Sequence, residues 1–256
     1  MIFLAAGTQD GRQIAHLLLQ NGYKVTASVV SDYGKILLSK HPQLTVIEQM
    51  LDENALQNIL QNAKIKIFVD ASHPYAVNIS QTAMKVCRKL GIYYLRYERP
   101  ATALPNYAKL YETTSFEAAA TKAFTLGNNV FLTTGSRHLT EFTTAMHSPD
   151  QTLTVRVLPA VESIQACIHA GILPKHIIAM QGPFSKELNK LMYMHTGAEV
   201  IVMKNSGKLG GSDTKLSAAI DAGISVVVIS RPCLKYDNLI TDSSLLIDKI
   251  KEIGEK

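Results

Sequence analysis

Where its apolar opening run ends, the sequence reads LAAGTQDGR from Leu4 to Arg12, small residues leading into a stretch of helical character. Small side chains let backbone come close to an anion, and a helix start offers it unpaired N–H groups and partial positive charge. Gly7, Thr8, Gly11 and Arg12 are therefore candidates to hold a phosphate, such as a dinucleotide carries. A tight strand-to-helix turn without any ligand accounts for the same residues, because Ala5, Ala6, Gly7 and Gly11 do not complete G-x-G-x-x-G. Farther on, VDASHPYA from Val69 to Ala76 sets His73 before Pro74. A residue before proline is driven to extended backbone, so His73 stands at a strand's carboxyl end, where an imidazole can give or take a proton near neutral pH. It is the candidate catalytic residue. A histidine that caps the following helix or bonds a backbone carbonyl fits equally.

Three further segments lie in the second half. VFLTTGSRHL, Val130 to Leu139, places Thr133, Thr134, Gly135 and Arg137 at another anion-receptive turn. MQGPFSKELN, Met180 to Asn189, sets Gln181, Gly182, Pro183 and Phe184 before a helix that Ser185 would cap, with a carboxylate close behind. VMKNSGKLGGSDTKL, Val202 to Leu216, gathers Lys204, Ser206, Gly207, Lys208, Gly210, Gly211 and Lys215. Hydroxyls, flexible backbone and cations together suit recognition of carboxylate or phosphate. Any one of these is compatible with ordinary loop chemistry; three in one half, each after a strand, are harder to dismiss.

The elements that position these segments alternate between β-branched or apolar runs and amphipathic stretches, the pattern of βαβ units and parallel sheets. Strands are expected at Ile2 to Ala5, Lys24 to Val30, Leu44 to Ile47, Ile67 to Asp70 and Tyr93 to Arg96, with helices at Gly11 to Gln20, Asp52 to Gln61 and Ala76 to Leu90. Tyr97 to Leu110 holds two prolines and little periodicity, which marks a crossing between domains. Beyond it, strands are expected near Val130 to Thr133, Leu153 to Val157, Ile177 to Met180, Val200 to Met203 and Val226 to Ile229. Helices near Ser115 to Leu126, Val161 to Ala170, Lys186 to His195, Thr214 to Ala222 and Ser243 to Ile253 separate them. The expected fold is α/β, two doubly wound, Rossmann-like parallel-sheet domains with an interdomain cleft: residues 1–98 for a dinucleotide, and 99–256 for the other ligand. Such sheets bind ligands beyond the carboxyl ends of their strands, where the strand order switches. The second strand ends Val29, Val30, Ser31, with Asp32 and Lys35 close by, so the charge that would meet a ribose or its 2′-phosphate is ambiguous. Ser31 is the candidate contact there, and NADPH is favoured with NADH left open.

Composition narrows the class. Hydrophobic residues make up 46% of the 256 and charged residues 18%, enough apolar surface for two ordered cores. No apolar run reaches the ~18 residues of a membrane span, and the opening run leads straight into the glycine loop, unlike a secretion signal. Cys87, Cys167 and Cys233 are far apart and form no C-x-x-C pair, so cytoplasmic free thiols are expected, and the eight histidines show no metal-binding spacing. Net charge is +5, but Lys and Arg are dispersed, which argues against nucleic acid and for a small polyanion. Nothing in the sequence requires an obligate protein partner.

DASHPYA, YYLRYERP, FLTTGSR, MQGPFSKELN, the Lys204-Asn205-Ser206-Gly207 stretch and VVVISRP resemble, in this order, the precorrin-6A reductase family of cobalamin biosynthesis, over essentially the whole chain. The resemblance implies a two-domain reductase that moves hydride from a reduced nicotinamide to the C18–C19 double bond of a polycarboxylate tetrapyrrole, without flavin or metal, in the cleft between domains. The family has a branch acting on the metal-free ring and one acting on the cobalt-bearing ring. Under this resemblance the dinucleotide contacts are Gly7, Thr8, Gly11, Arg12, Ser31, Thr134, Gly135 and Arg137. The ring contacts are Arg96, Gln181, Gly182, Pro183, Phe184, Lys204, Ser206, Gly207 and Lys215. Ala6 departs from the Gly-Gly-Thr more usual in the family's first loop. A sensor that binds NAD(P)H without turnover and a nicotinamide-independent tetrapyrrole lyase or synthase are the competing classes.

Overall fold

A computed structural model of the chain describes residues 1–30, 32–38 and 40–254. The polypeptide divides into two units, Met1–Pro100 joined by the chain from Pro232 onward, and Ala101–Arg231. The first contains β1 (Ile2–Ala5), α1 (Gln9–Gln20), β2 (Val25–Val29), α2 (Asp32–Ile36), β3 (Leu44–Glu48), α3 (Glu53–Asn62), β4 (Ile67–Asp70), α4 (Val77–Leu90) and β5 (Tyr93–Tyr97). The second contains β6 (Leu110–Thr113), α5 (Phe116–Leu126), β7 (Asn129–Leu132), α6 (Leu139–Thr144), β8 (Thr152–Val157), α7 (Val161–His169), β9 (Ile177–Ala179), α8 (Lys186–His195), β10 (Val200–Lys204), α9 (Ser212–Asp221) and β11 (Ser225–Ile229). The chain then returns to the first unit as β12 (Leu239–Ile240) and α10 (Ser244–Gly254).

The first sheet runs β12-β5-β4-β1-β2-β3 and the second β6-β11-β10-β7-β8-β9, with every recorded pairing parallel. Both are doubly wound, as the alternation of elements predicts. Successive strand residues point to opposite faces, and β1 buries both: Ile2 and Leu4 join Ile14 and Leu18 of α1, while Phe3 and Ala5 join Leu56 of α3 and Val86 of α4. A strand covered on both sides reads as an unbroken apolar run, which is why IFLA shows no alternation. In the second sheet Ile201 and Met203 of β10 pack with Met192 and Tyr193 of α8 and Leu216 of α9.

Helix α1 begins at Gln9, two residues before the glycine where periodicity starts it, because Thr8 caps it by accepting the Gly11 N–H. Ser185 caps α8 as expected, accepting from Leu188 N.

Domain assignment needs a correction. Residues 99–256 do not form one unit: Leu239 and Ile240 extend the first sheet beside Arg96 and Tyr97, and Leu246, Ile247 and Ile250 of α10 complete the core around α1. A helical apolar stripe in the sequence does not say which sheet it covers, and a strand of two residues has no period to read. For the same reason β6, at the end of the expected crossing, and the short α2 and α6 have no counterpart in the sequence reading. Among the described residues no helix is long and apolar enough to cross a membrane.

Candidate ligand-binding sites

In the first sheet the strand order reverses between β1, which is followed outward by β2 and β3, and β4, which is followed outward by β5 and β12. The loops leaving β1 and β4 meet there. The Thr8 hydroxyl donates to the Ala71 carbonyl at 2.9 Å and accepts the Gly11 N–H at 2.9 Å. Its single proton is thus committed to the protein, so Thr8 locks the crevice and is not a hydroxyl donor to a phosphate. Gly11 is also structural. A Cβ there would stand 2.6 Å from Ala6 Cα and 2.9 Å from its carbonyl oxygen, so glycine lets the helix abut the turn. Gly7 differs from both, since nothing lies within 4 Å of where its Cβ would be and its backbone does not require glycine. The space beside it is open to a ligand, at the start of a helix whose first N–H groups have no intrahelical acceptor.

Asp10, buried in that first turn, is ion-paired with Arg99. The pair offsets a negative charge that would otherwise oppose a phosphate. Arg12 is half-buried one residue beyond Gly11. Ser31 lies outside the described residues.

The β4 loop presents His73 on a rigid base. Asp70, wholly buried at the end of β4, accepts from Ser72 N at 3.0 Å, Ser80 Oγ at 2.6 Å, Tyr94 Oη at 2.6 Å and Arg96 Nη1 at 2.9 Å. Burial alone would push its carboxyl up, but the Arg96 guanidinium and these donors outweigh it and hold it below the usual carboxylate range. Three residues on, the Tyr75 N–H donates to His73 Nδ1 at 3.3 Å, so a neutral His73 carries its proton on Nε2. His73 is half-buried.

Arg96 is corrected by this geometry. It is wholly buried, with Nη1 on Asp70 and on Ser72 Oγ at 3.0 Å, Nε on Glu98 Oε2 at 3.1 Å and Nη2 on the same oxygen at 2.9 Å. An arginine so saturated does not meet a ring carboxylate. It braces β5 against β4. Sequence reasoning missed Asp70 as its partner, although DASHPYA and YYLRYERP share the signal of one acid and one base on apolar strands that pair.

In the second sheet the order reverses between β7 and β10. Thr133 ties the two strands, its N–H and hydroxyl donating to Val202 O at 2.9 and 3.0 Å. Lys204 Nζ donates to Thr134 O at 3.0 Å and lies 5.0 Å from the Phe116 ring centre. Burial and then Arg137 push the Lys204 ammonium down to about 8. Gly135 takes a φ of 84°, which favours glycine, and Arg137 is exposed. Ser206 is buried, and its N–H donates to Ser212 Oγ at 2.9 Å, so it shapes the turn in which Gly207 has a φ of 80°.

Gly211, with a φ of 67°, meets Pro183, whose Cβ would be 3.5 Å from a side chain placed there. Two separate sequence segments, Gln181 to Phe184 and Lys204 to Lys215, thereby come together. Gln181, Gly182 and Pro183 are exposed and Phe184 is half-buried. Phe184 covers a residue that sequence reasoning passed over, Arg156 of β8, whose guanidinium carbon lies 4.4 Å from the Phe184 ring centre. Lys215 lies close enough for Arg156 and Lys204 to depress it. Burial first, and then those two cations, push it down to about 8. A lone arginine inside TLTVRV was the available signal.

The family described as Precorrin-6x reductase CbiJ/CobK matches residues 1–251. A cobalt-precorrin-6A reductase of Priestia megaterium is 36% identical over 237 residues, 92% of each chain. One of Methanocaldococcus jannaschii is 34% identical over 254 residues, 98% of each chain. The solved structure of a CobK precorrin-6A reductase shares the fold, with a TM-score of 0.82 at 21% identity over 99% of this chain and 97% of that one.

Proposed function

The chain belongs to the precorrin-6x reductase family, and from that premise we propose that it reduces cobalt-precorrin-6A to cobalt-precorrin-6B in cobalamin biosynthesis. Hydride would come from NADPH and go to the C18–C19 double bond. Family membership over nearly the full length carries the assignment, and the cobalt-bearing form of the ring is favoured because the relatives from Priestia and Methanocaldococcus bear that name.

The described residues fit a dinucleotide at the first switch point. Open space beside Gly7, a helix start behind it and the close contact at Gly11 supply the cradle that a pyrophosphate needs. When bound there, the reduced nicotinamide supplies the hydride, which is the cofactor's own chemistry. This chain contributes orientation, exclusion of water and a proton. Saturating a double bond takes one hydride and one proton. A neutral His73 holds a proton at Nε2, with its ring oriented through Nδ1 by the Tyr75 N–H. Lys204 at the end of β10 and Lys215 in the first turn of α9 take the ring's carboxylates, a division of labour supported by the cations gathered there.

NADPH and NADH titrated separately by nicotinamide fluorescence, followed by addition of cobalt-precorrin-6A, test this. The expected result is tighter binding of NADPH and oxidation of one nicotinamide per ring reduced. Cofactor binding without oxidation would favour a sensor, and ring conversion without nicotinamide would favour a lyase or synthase.

A further inference from the structure

Three arginines of this protein are nine-tenths buried or more. Two have carboxylates: Arg96 bonds Asp70 and Glu98, and Arg99 pairs with Asp10. Arg156 is 6% exposed and has none among the described residues. Its Nη1 donates to Asn189 Oδ1 at 2.8 Å and lies 3.3 Å from Met192 Sδ, and its guanidinium carbon sits 4.4 Å from the Phe184 ring centre and 5.7 Å from that of Phe131. All these partners are neutral. Nε and Nη2 meet no acceptor among the described residues, yet neither is among the fully sealed, unpartnered atoms. An edge of the guanidinium therefore remains open.

A second cation adds to the imbalance. Lys215, in the first turn of α9, gives one hydrogen bond, to Gly210 O at 3.0 Å, and the charges acting on it are Arg156 and Lys204, both of its own sign. Burying a charge is costly unless an opposite charge meets it. Like charges gathered at the carboxyl ends of strands in a low dielectric would be stabilised by an anion, and that end of a parallel sheet is where ligands bind.

We infer that Arg156 and Lys215, with Lys204 beside them, form an internal receptor for an oxyanion, a carboxylate or phosphate group of a ligand held at the carboxyl ends of β8 and β10. The inference deepens the reductase assignment and rests on it only for which ligand carries the group: a side-chain carboxylate of the ring or a phosphate of the dinucleotide. Planar guanidinium and paired oxygens match in geometry, and the rings of Phe131 and Phe184 hold the guanidinium plane in place.

The test uses the full chain and two variants, Arg156→Met and Lys215→Met. In the absence of ligand, Arg156→Met melts at or above the wild-type temperature, because a buried charge without counter-ion is removed and Asn189 Oδ1 keeps Tyr193 Oη at 3.5 Å. Inorganic phosphate raises the melting temperature of the wild type above that in chloride of matched ionic strength, and this rise is lost in both variants. In turnover the Michaelis constant rises about tenfold or more for the one ligand that carries the oxyanion. A rise for NADPH, absent with NADH, assigns the 2′-phosphate; a rise for both assigns the pyrophosphate; a rise for the ring assigns a carboxylate. If phosphate stabilises both variants as it does the wild type, and neither Michaelis constant moves, the receptor is overturned. Should Arg156→Met fail to fold, its stability expectation fails and Lys215→Met decides the rest. Phosphate response lost in the variants of a protein that reduces no ring would leave the receptor standing and sink the reductase assignment; the reverse pattern would do the opposite.

Discussion

Arg96 Nη1 donates to Asp70 Oδ1 at 2.9 Å, and neither side chain exposes any surface. The pair crosses from β5 to β4 directly beneath the loop that carries His73. Removing one partner of a buried ion pair leaves the other uncompensated, at a cost of ~3–5 kcal/mol. Asp70→Asn leaves Arg96 with Glu98 as its remaining carboxylate, so it is expected to lower stability in urea unfolding by less than that full amount but clearly more than Glu53→Gln, which breaks only the surface pair with Lys85. Because the folded carboxyl is held below its ordinary value of 3.8, its contribution is present above that pH and is lost as pH falls further. Wild type and Asp70→Asn should converge in stability as pH falls below 3.8 and through the lowered folded-state value. A difference that persists unchanged in acid would refute the ionic account.

Gly7 and Gly11 separate by mechanism. Gly11→Ala puts a methyl group within 2.6 Å of Ala6 backbone and is expected to destabilise the fold by ~1–3 kcal/mol, as overpacking does. The Cβ that Gly7→Val adds meets no protein atom within 4 Å, so its stability is expected to stay closer to wild type than that of Gly11→Ala, while NADPH affinity falls about 100-fold if ~3 kcal/mol of phosphate contact is lost. Thermal melts and fluorescence titration of the two variants check both halves. Unchanged NADPH affinity in folded Gly7→Val would remove the pyrophosphate from this turn.

How much of this was legible in the sequence follows from what periodicity encodes. IFLA before a small-residue turn marks a buried parallel strand and its loop, and Ser185 announces its helix because capping is local, whereas the cap at Thr8 is hidden because the same residue suits a phosphate turn. Long-range partnership has no such local trace. Arg96 looks like a ligand contact until Asp70, 26 positions away, is found against it. Arg156 lies unnoticed in a strand until the Phe184 ring is found over it and Lys215 within reach of its charge. The return of β12 and α10 to the first sheet is a matter of topology, which an amphipathic stripe does not specify.

His73→Ala separates a proton-holding histidine from a structural one. The substitution removes the long, half-buried hydrogen bond from Tyr75 N–H to Nδ1 at 3.3 Å and the ring contact with Tyr75, and a thermal melt reads that structural cost separately from turnover. A positioned acid or base is worth ~100-fold or more in rate, so turnover per folded molecule should fall by at least that factor at saturating ligands. Wild-type turnover in soluble His73→Ala would take the residue out of the chemistry.

The second unit makes a prediction in alkali. Burial, reinforced by Arg137 at Lys204 and by Arg156 and Lys204 at Lys215, pushes both ammonium groups down to about 8 from an ordinary 10.5. Below about pH 8 both groups are charged in the folded and unfolded chains, and the folded state bears the full cost of burying them. Between about 8 and 10.5 the unfolded chain keeps protons that the folded chain has shed, so these two groups make stability rise with pH across that window. An oxyanion reverses the preference, since it binds the charged forms, and phosphate affinity should fall as pH passes about 8. Other groups titrate in the same range, so the quantity to measure is the difference between wild type and a Lys204→Met, Lys215→Met double variant. The double variant is expected to be the more stable of the two at pH 7 without ligand, to lose that advantage as pH approaches 10.5, and to show no pH-dependent phosphate response. Parallel stability profiles for the two proteins across the window would mean that neither lysine is held down by its surroundings.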